Sequence, residues 1–88
     1  REPVFETEQL FCELLCLDRT QTYGPVREER SDGVFTVLAG EAAFMVEGKR
    51  KRLSQWGAVL VPAGTQVTVR NASIDPLVVM LTAAPPPG

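Results

Sequence analysis

VFTVLAGEAAFMVEGKRKRLSQWGAVLVPAGTQVTVRN, residues 34–71, decides the fold. A Gly or Pro interrupts it every few residues, at Gly40, Gly48, Gly57, Pro62 and Gly64. The pieces between them are short and rich in Val, Leu, Phe and Thr. Runs of this kind carry no long helical period and read as strands of an all-β sandwich or barrel. Strands are expected over residues 34–38, 42–46, 49–53, 59–61 and 66–70. Glu47-Gly48 is a hairpin signal, because Gly accepts positive φ. Pro62 ends its strand, since it has no N–H to give to a ladder.

Outward from this stretch, residues 77–82 (LVVMLT) form an apolar run expected of a strand covered on both faces. Residues 10–17 (LFCELLCL) fit either two helical turns or one strand. The strand is preferred, because every later element is β. It sets Cys12, Leu14 and Cys16 on one face and Phe11, Glu13, Leu15 and Leu17 on the other. Pro85-Pro86-Pro87-Gly88 is expected to be an extended tail.

The chain has 88 residues, enough for one core and one domain over residues 1–88. Its apolar share of 44% and charged share of 23% are those of an ordinary globular domain. No apolar stretch approaches the roughly 18–20 residues of a spanning helix, so no membrane partner is expected. With 9 basic and 11 acidic side chains the net charge is −2, which predicts no general affinity for nucleic acid. Histidine is absent, which removes the commonest metal ligand and general base. Cys12 and Cys16 would lie roughly 13 Å apart on a strand, beyond the 4.4–6.8 Å or so that a disulfide spans. Free, buried, inert thiols and the lack of an apolar leader in residues 1–6 predict a cytoplasmic protein. The first residue is Arg, not Met, which leaves room for residues before it.

Val37-Leu38-Ala39-Gly40-Glu41 resembles the "VLxGE" turn of cupins. Trp56-Gly57-Ala58-Val59-Leu60-Val61-Pro62-Ala63-Gly64 resembles the second cupin motif. There a P-x-G turn is followed by two residues, a metal-binding His, three residues and an Asn. Here Thr65-Gln66, Val67, Thr68-Val69-Arg70 and Asn71 keep that spacing, and the Asn is kept. The step from Gly57 to Pro62 is one residue shorter than usual. The resemblance extends over about residues 3–84. It implies an all-β, cupin-type jelly-roll barrel, with two sheets around a central pocket.

The same resemblance places the family's metal ligands. The H-x-H pair falls on Val26 and Glu28, the Glu on Gly33 and the last His on Val67. Only Glu28 among them can bind a cation. Transition metals need three or four N, O or S donors, so no metal and no cofactor are expected.

Val26, Glu28, Phe35, Val37 and Val67 are expected inside the barrel, as ligand-binding residues or as filling of the core. The expected function is non-catalytic, either binding of a small apolar organic ligand or service as a dimeric interaction module. The alternative is a metal-independent isomerase or lyase with Glu28 as acid/base, assisted by Tyr23 or Arg70. Lys49-Arg50-Lys51-Arg52 reads as edge protection in preference to a phosphate patch. Trp56 is expected to pack at the barrel end. The apolar last strand and the resemblance together predict a homodimer.

Overall fold

The computed structural model describes residues 2–6 and 11–84. Leu10 and the Pro-rich tail at 85–88 lie outside the described residues. The strands are β1 (Glu2–Glu6), β2 (Phe11–Leu17), β3 (Thr22–Arg27), β4 (Asp32–Ala39), β5 (Ala42–Val46), β6 (Lys49–Leu53), β7 (Ala58–Val61), β8 (Gln66–Asn71) and β9 (Leu77–Ala84). They form a five-stranded sheet ordered β1-β2-β9-β4-β7 and a four-stranded sheet ordered β3-β8-β5-β6. Every described pairing is antiparallel. Apart from the β1–β2 and β5–β6 pairs, each connection crosses from one sheet to the other, as a jelly roll requires. No described helix is long and apolar enough to cross a membrane.

The run at residues 11–17 is a strand, and the hairpin at Glu47-Gly48 has positive φ at both residues (49° and 79°). That geometry matches the right-handed twist of the strands it joins. Two strands are additional to those expected from sequence, β1 and β3. The Gly24-Pro25 pair inside β3 reads as a turn, yet it sits in an edge strand whose register with β8 shifts between Tyr23 and Val26. Proline is tolerated there because an edge strand has one ladder to satisfy, not two.

Alternation along β9 decides which face is the core. Leu77, Val79, Leu81 and Ala83 are buried, while Val78, Met80 and Thr82 on the opposite face are half-buried. The buried set packs with Leu15, Phe35, Val37, Val59 and Val61 of the same sheet against Ala42, Phe44, Val67 and Val69 of the other. Phe35 and Phe44 meet edge to face, with ring centroids 5.6 Å apart. Each such buried Val, Leu or Phe side chain contributes about 1.5–3 kcal/mol by leaving water.

Asn71 closes one end of this core. Its Nδ2 donates to the carbonyls of Leu17 (3.1 Å) and Asp75 (2.8 Å), and its Oδ1 accepts from Ser73 N (2.9 Å). It thereby ties the end of β8 to the end of β2 and to the loop that leads into β9.

Two sequence expectations are corrected. Trp56 does not pack at the barrel end: it has φ 73° and is 71% exposed, because the turn that carries it swings the indole outward. Its backbone N–H nevertheless donates to the Val37 carbonyl at 2.7 Å. Cys16 is exposed and only Cys12 is buried; both thiols are free. The outer set of the last strand is half-buried in the single chain.

Candidate ligand cavity

At one end the two sheets separate and leave a cavity of about 230 Å³. Phe35, Val61 and Leu81 line it from the five-stranded sheet, and Tyr23, Val26 and Val67 from the four-stranded sheet. Tyr23 leans on Phe35 with centroids 6.4 Å apart, so the apolar wall is continuous from one sheet to the other. At about 30 Å³ per water in the liquid, the volume equals that of roughly seven or eight waters, which limits a ligand to a small molecule.

The rim is built by the loop between β3 and β4 and by the Pro62-Ala63-Gly64 turn. Gly64 N–H donates to the Glu28 carbonyl (2.8 Å), and Ala63 N–H donates to Asp32 Oδ1 (2.8 Å). Thr65 N–H closes the turn on the Pro62 carbonyl at 3.1 Å. Gly64 holds φ 82°, a value that L side chains rarely adopt. The P-x-G turn therefore clamps the segment that carries Glu28.

Polar groups at the cavity are few. Ser31 is buried and lines it, as do Thr65, Arg27 and Glu28. Arg27 is committed elsewhere: its Nη1 donates to the Gly64 carbonyl at 2.7 Å, and its Nη2 lies 3.6 Å from Glu47 Oε1. That ion pair is about half exposed on each side and contributes little, on the order of 0–1 kcal/mol after screening. Glu28 accepts from the Arg30 backbone N–H at 3.2 Å through Oε1 and pairs with no Arg side chain among the described residues.

Of the five residues expected inside the barrel, Val26, Glu28, Phe35 and Val67 line the cavity. Val26 stands at the mouth and is 37% exposed. Val37 is also inside the barrel but as core filling: it is fully buried, one strand repeat deeper than Phe35, and is not among the residues that line the cavity. Its register partner Val79 is equally buried, so the two fill the space between the sheets. Arg70 is also corrected as a partner for Glu28, because it lies on the outer face of the four-stranded sheet, in a separate groove. Tyr23 does share the cavity with Glu28.

Glu13, set by sequence on one face with Leu15, was given no role there. Glu13 is 2% exposed and is the register partner of Leu81, which lines the cavity. Its signal was parity. It alternates with Cys12 and Leu14 and shares a face with Leu15, so its carboxylate sits on the core side.

Val26, Glu28, Gly33 and Val67, the four positions at which the cupin resemblance places metal ligands, all line this one cavity. The sheets thus bring these four positions together. They carry one carboxylate, two valines and a glycine, which do not fit a transition-metal ion. Among the described residues no group of three or more His, Cys, Asp or Glu is placed to hold one.

Comparison with known proteins places the fold. No family model matches the chain. TT1209 from Thermus thermophilus is 32% identical with a TM-score of 0.90, over 96% of this chain and 80% of that one. The cupin domain of Schizosaccharomyces pombe Cnp3 superposes with a TM-score of 0.89 at 17% identity, over 94% of this chain and 61% of that one. A double-stranded β-helix protein from Klebsiella pneumoniae gives 0.88 at 20% identity, over 99% and 81%. The chain has the cupin fold. The chain also matches endoribonuclease YbeY of Myxococcus xanthus, 43% identical over 47 residues. That match spans 53% of this chain and 16% of the length of that protein.

Proposed function

We propose that this cupin is metal-free and non-catalytic, and that it binds a small, largely apolar organic molecule in the cavity between its sheets. The observation that carries this reading is the makeup of the four former ligand positions, Val26, Glu28, Gly33 and Val67, around a cavity walled by Phe35, Val61 and Leu81. An apolar body would rest on Phe35 and Val67. A donor group on the ligand would meet the Glu28 carboxylate, the cavity's charge with no side-chain ion pair. Apolar burial in so small a space, at roughly 25 cal/mol per Å² before ordering costs, supports micromolar binding and not tighter. A thermal-shift screen of small aromatic and aliphatic amines, alcohols and acids tests it. A saturable rise in Tm that Val67→Asp abolishes supports the reading; no rise with any compound that fits about 230 Å³ contradicts it.

A second reading is favoured by the shared position of Tyr23 and Glu28 on one cavity. In it the chain is a metal-independent isomerase or lyase, Glu28 taking a proton and Tyr23 donating one. Solvent-deuterium exchange into a bound carbonyl compound, lost in Glu28→Gln, would favour it over simple binding.

The protein's partner in this reading is a second copy of itself. The outer face of β2, β9 and β4 carries Leu14, Cys16, Val78, Met80, Val34 and Thr36, with no charge along the three central rows. Leu60 on β7 extends it and is 61% exposed. An uncharged face meets its own copy without repulsion, as an isologous contact requires. The free thiols are in keeping with a reducing, cytoplasmic setting.

A further inference from the structure

We propose that the outer face of the four-stranded sheet is a binding site for a phosphate group, separate from the cavity. The sequence Lys49-Arg50-Lys51-Arg52 forms β6, the edge strand, and alternation sends Arg50 and Arg52 to the outer face. Register then assembles the rest. Ala43 of β5 pairs with Arg52 on one side and with Arg70 on the other, and Arg70 pairs with Thr22. The next outward row is Arg50, Met45 and Thr68.

With strands about 4.8 Å apart, Arg52 and Arg70 stand roughly 10 Å apart at their Cα atoms, across the low methyl of Ala43. The result is a groove of about 640 Å³ with three guanidinium groups and two hydroxyl groups on its walls. No acidic residue lines it. Arg52 is braced by Glu41 Oε2, which accepts from its Nε (3.0 Å) and Nη2 (2.8 Å). Arg50 and Arg70 have no ion-pair partner among the described residues. Two uncompensated cations that face one groove from opposite strands are, on a chain of net charge −2, a local excess that edge protection alone does not need.

The chemistry narrows the ligand. Guanidinium forks donate in pairs to oxyanions; the open forks of Arg50 and Arg70, from the β6 and β8 walls, with Arg52 Nη1 beside them, match a tetrahedral group with three free oxygens. A carboxylate has only two oxygens to offer. A phosphate group therefore fits, as inorganic phosphate or as the head of a small phosphate monoester, with Met45 as an apolar rest for the ester's carbon side.

The test is an NMR titration of the ¹⁵N-labelled protein with inorganic phosphate and with glycerol 3-phosphate. It is run at ~10 mM ionic strength, where the Debye length is about 30 Å. Saturable shifts confined to the Nε–H groups of Arg50, Arg52 and Arg70 and to the amides of Thr22 and Thr68 are expected. Arg70→Gln and Arg50→Gln should each weaken binding about tenfold, ~1.4 kcal/mol, with Arg19→Gln unchanged. Tighter binding of the monoester would mark it as the source; equal binding would mark free phosphate. Either supports the site. Shifts reproduced by chloride at matched ionic strength, or affinity indifferent to both Arg variants, would overturn it. So would an oligonucleotide that binds more tightly than either probe, which would make the face a backbone-tracking surface. Cavity ligands play no part in this titration, so its failure leaves the proposed function untouched.

Discussion

Val26 and Val67 are register partners on β3 and β8, and both side chains line the same cavity. By the cupin resemblance each stands at a metal-binding histidine of that family, and a valine offers no donor to an ion. Histidines at both positions should create a metal site. Val26→His with Val67→His, added to Glu28, gives the three protein ligands of an open Zn²⁺-type site. The double variant is expected to bind Co²⁺ at one equivalent with a tetrahedral visible absorption band, absent in the parent protein. A spectrum identical to the parent's would mean that the four positions do not converge as described.

Phe35 and Val37 lie on one face of β4 but do different work. Val37→Ala should lower stability and leave ligand affinity within about twofold, because its side chain is sealed in the core. Val67→Asp should abolish ligand-dependent stabilisation. Chemical denaturation and ligand titration of the two variants separate the roles.

Asn71→Ala should cost about 2–3 kcal/mol in urea unfolding. It deletes three short hydrogen bonds and orphans the part-buried carbonyls of Leu17 and Asp75. Asn71→Asp should cost a similar amount, since a carboxylate cannot donate to either carbonyl. A loss under about 1 kcal/mol in both would show that the corner is held by other contacts.

Much of this fold was legible because the chain punctuates itself. The ends of β5 and β6 fall where Glu47-Gly48 puts them, and Pro62 stops β7 by withholding a donor. Gly40 marks the turn after β4 for a reason the structure supplies: at φ 86° a Cβ there would sit 2.8 Å from the Pro76 carbonyl. What was not legible depended on other elements. β3 hides behind Gly24-Pro25, since a proline is acceptable only once a strand is known to be an edge. The exposure of Trp56 follows from its positive φ, a conformation aromatic residues rarely adopt and composition does not reveal. Val37 shares its parity with Phe35, so alternation could not tell cavity wall from sealed core. The basic run at residues 49–52 acquires its meaning only when register brings Arg70 opposite, beyond Ala43.

The uncharged central rows of the outer face give a further expectation. Leu60→Lys together with Val34→Lys should convert a dimer to a monomer in light scattering, with little loss of fold, because Leu60 is 61% and Val34 37% exposed in the single chain. A parent protein that is monomeric at high concentration would contradict the self-association.

Elemental analysis of the purified protein, by mass spectrometry after dialysis without chelator, tests the centre of the account. Less than about a tenth of an equivalent of Fe, Mn, Zn, Ni or Cu per chain is the expected result, since Glu28 alone cannot offset the dehydration of such an ion. One full equivalent that is lost on Glu28→Gln would contradict it and return metal chemistry to this cavity.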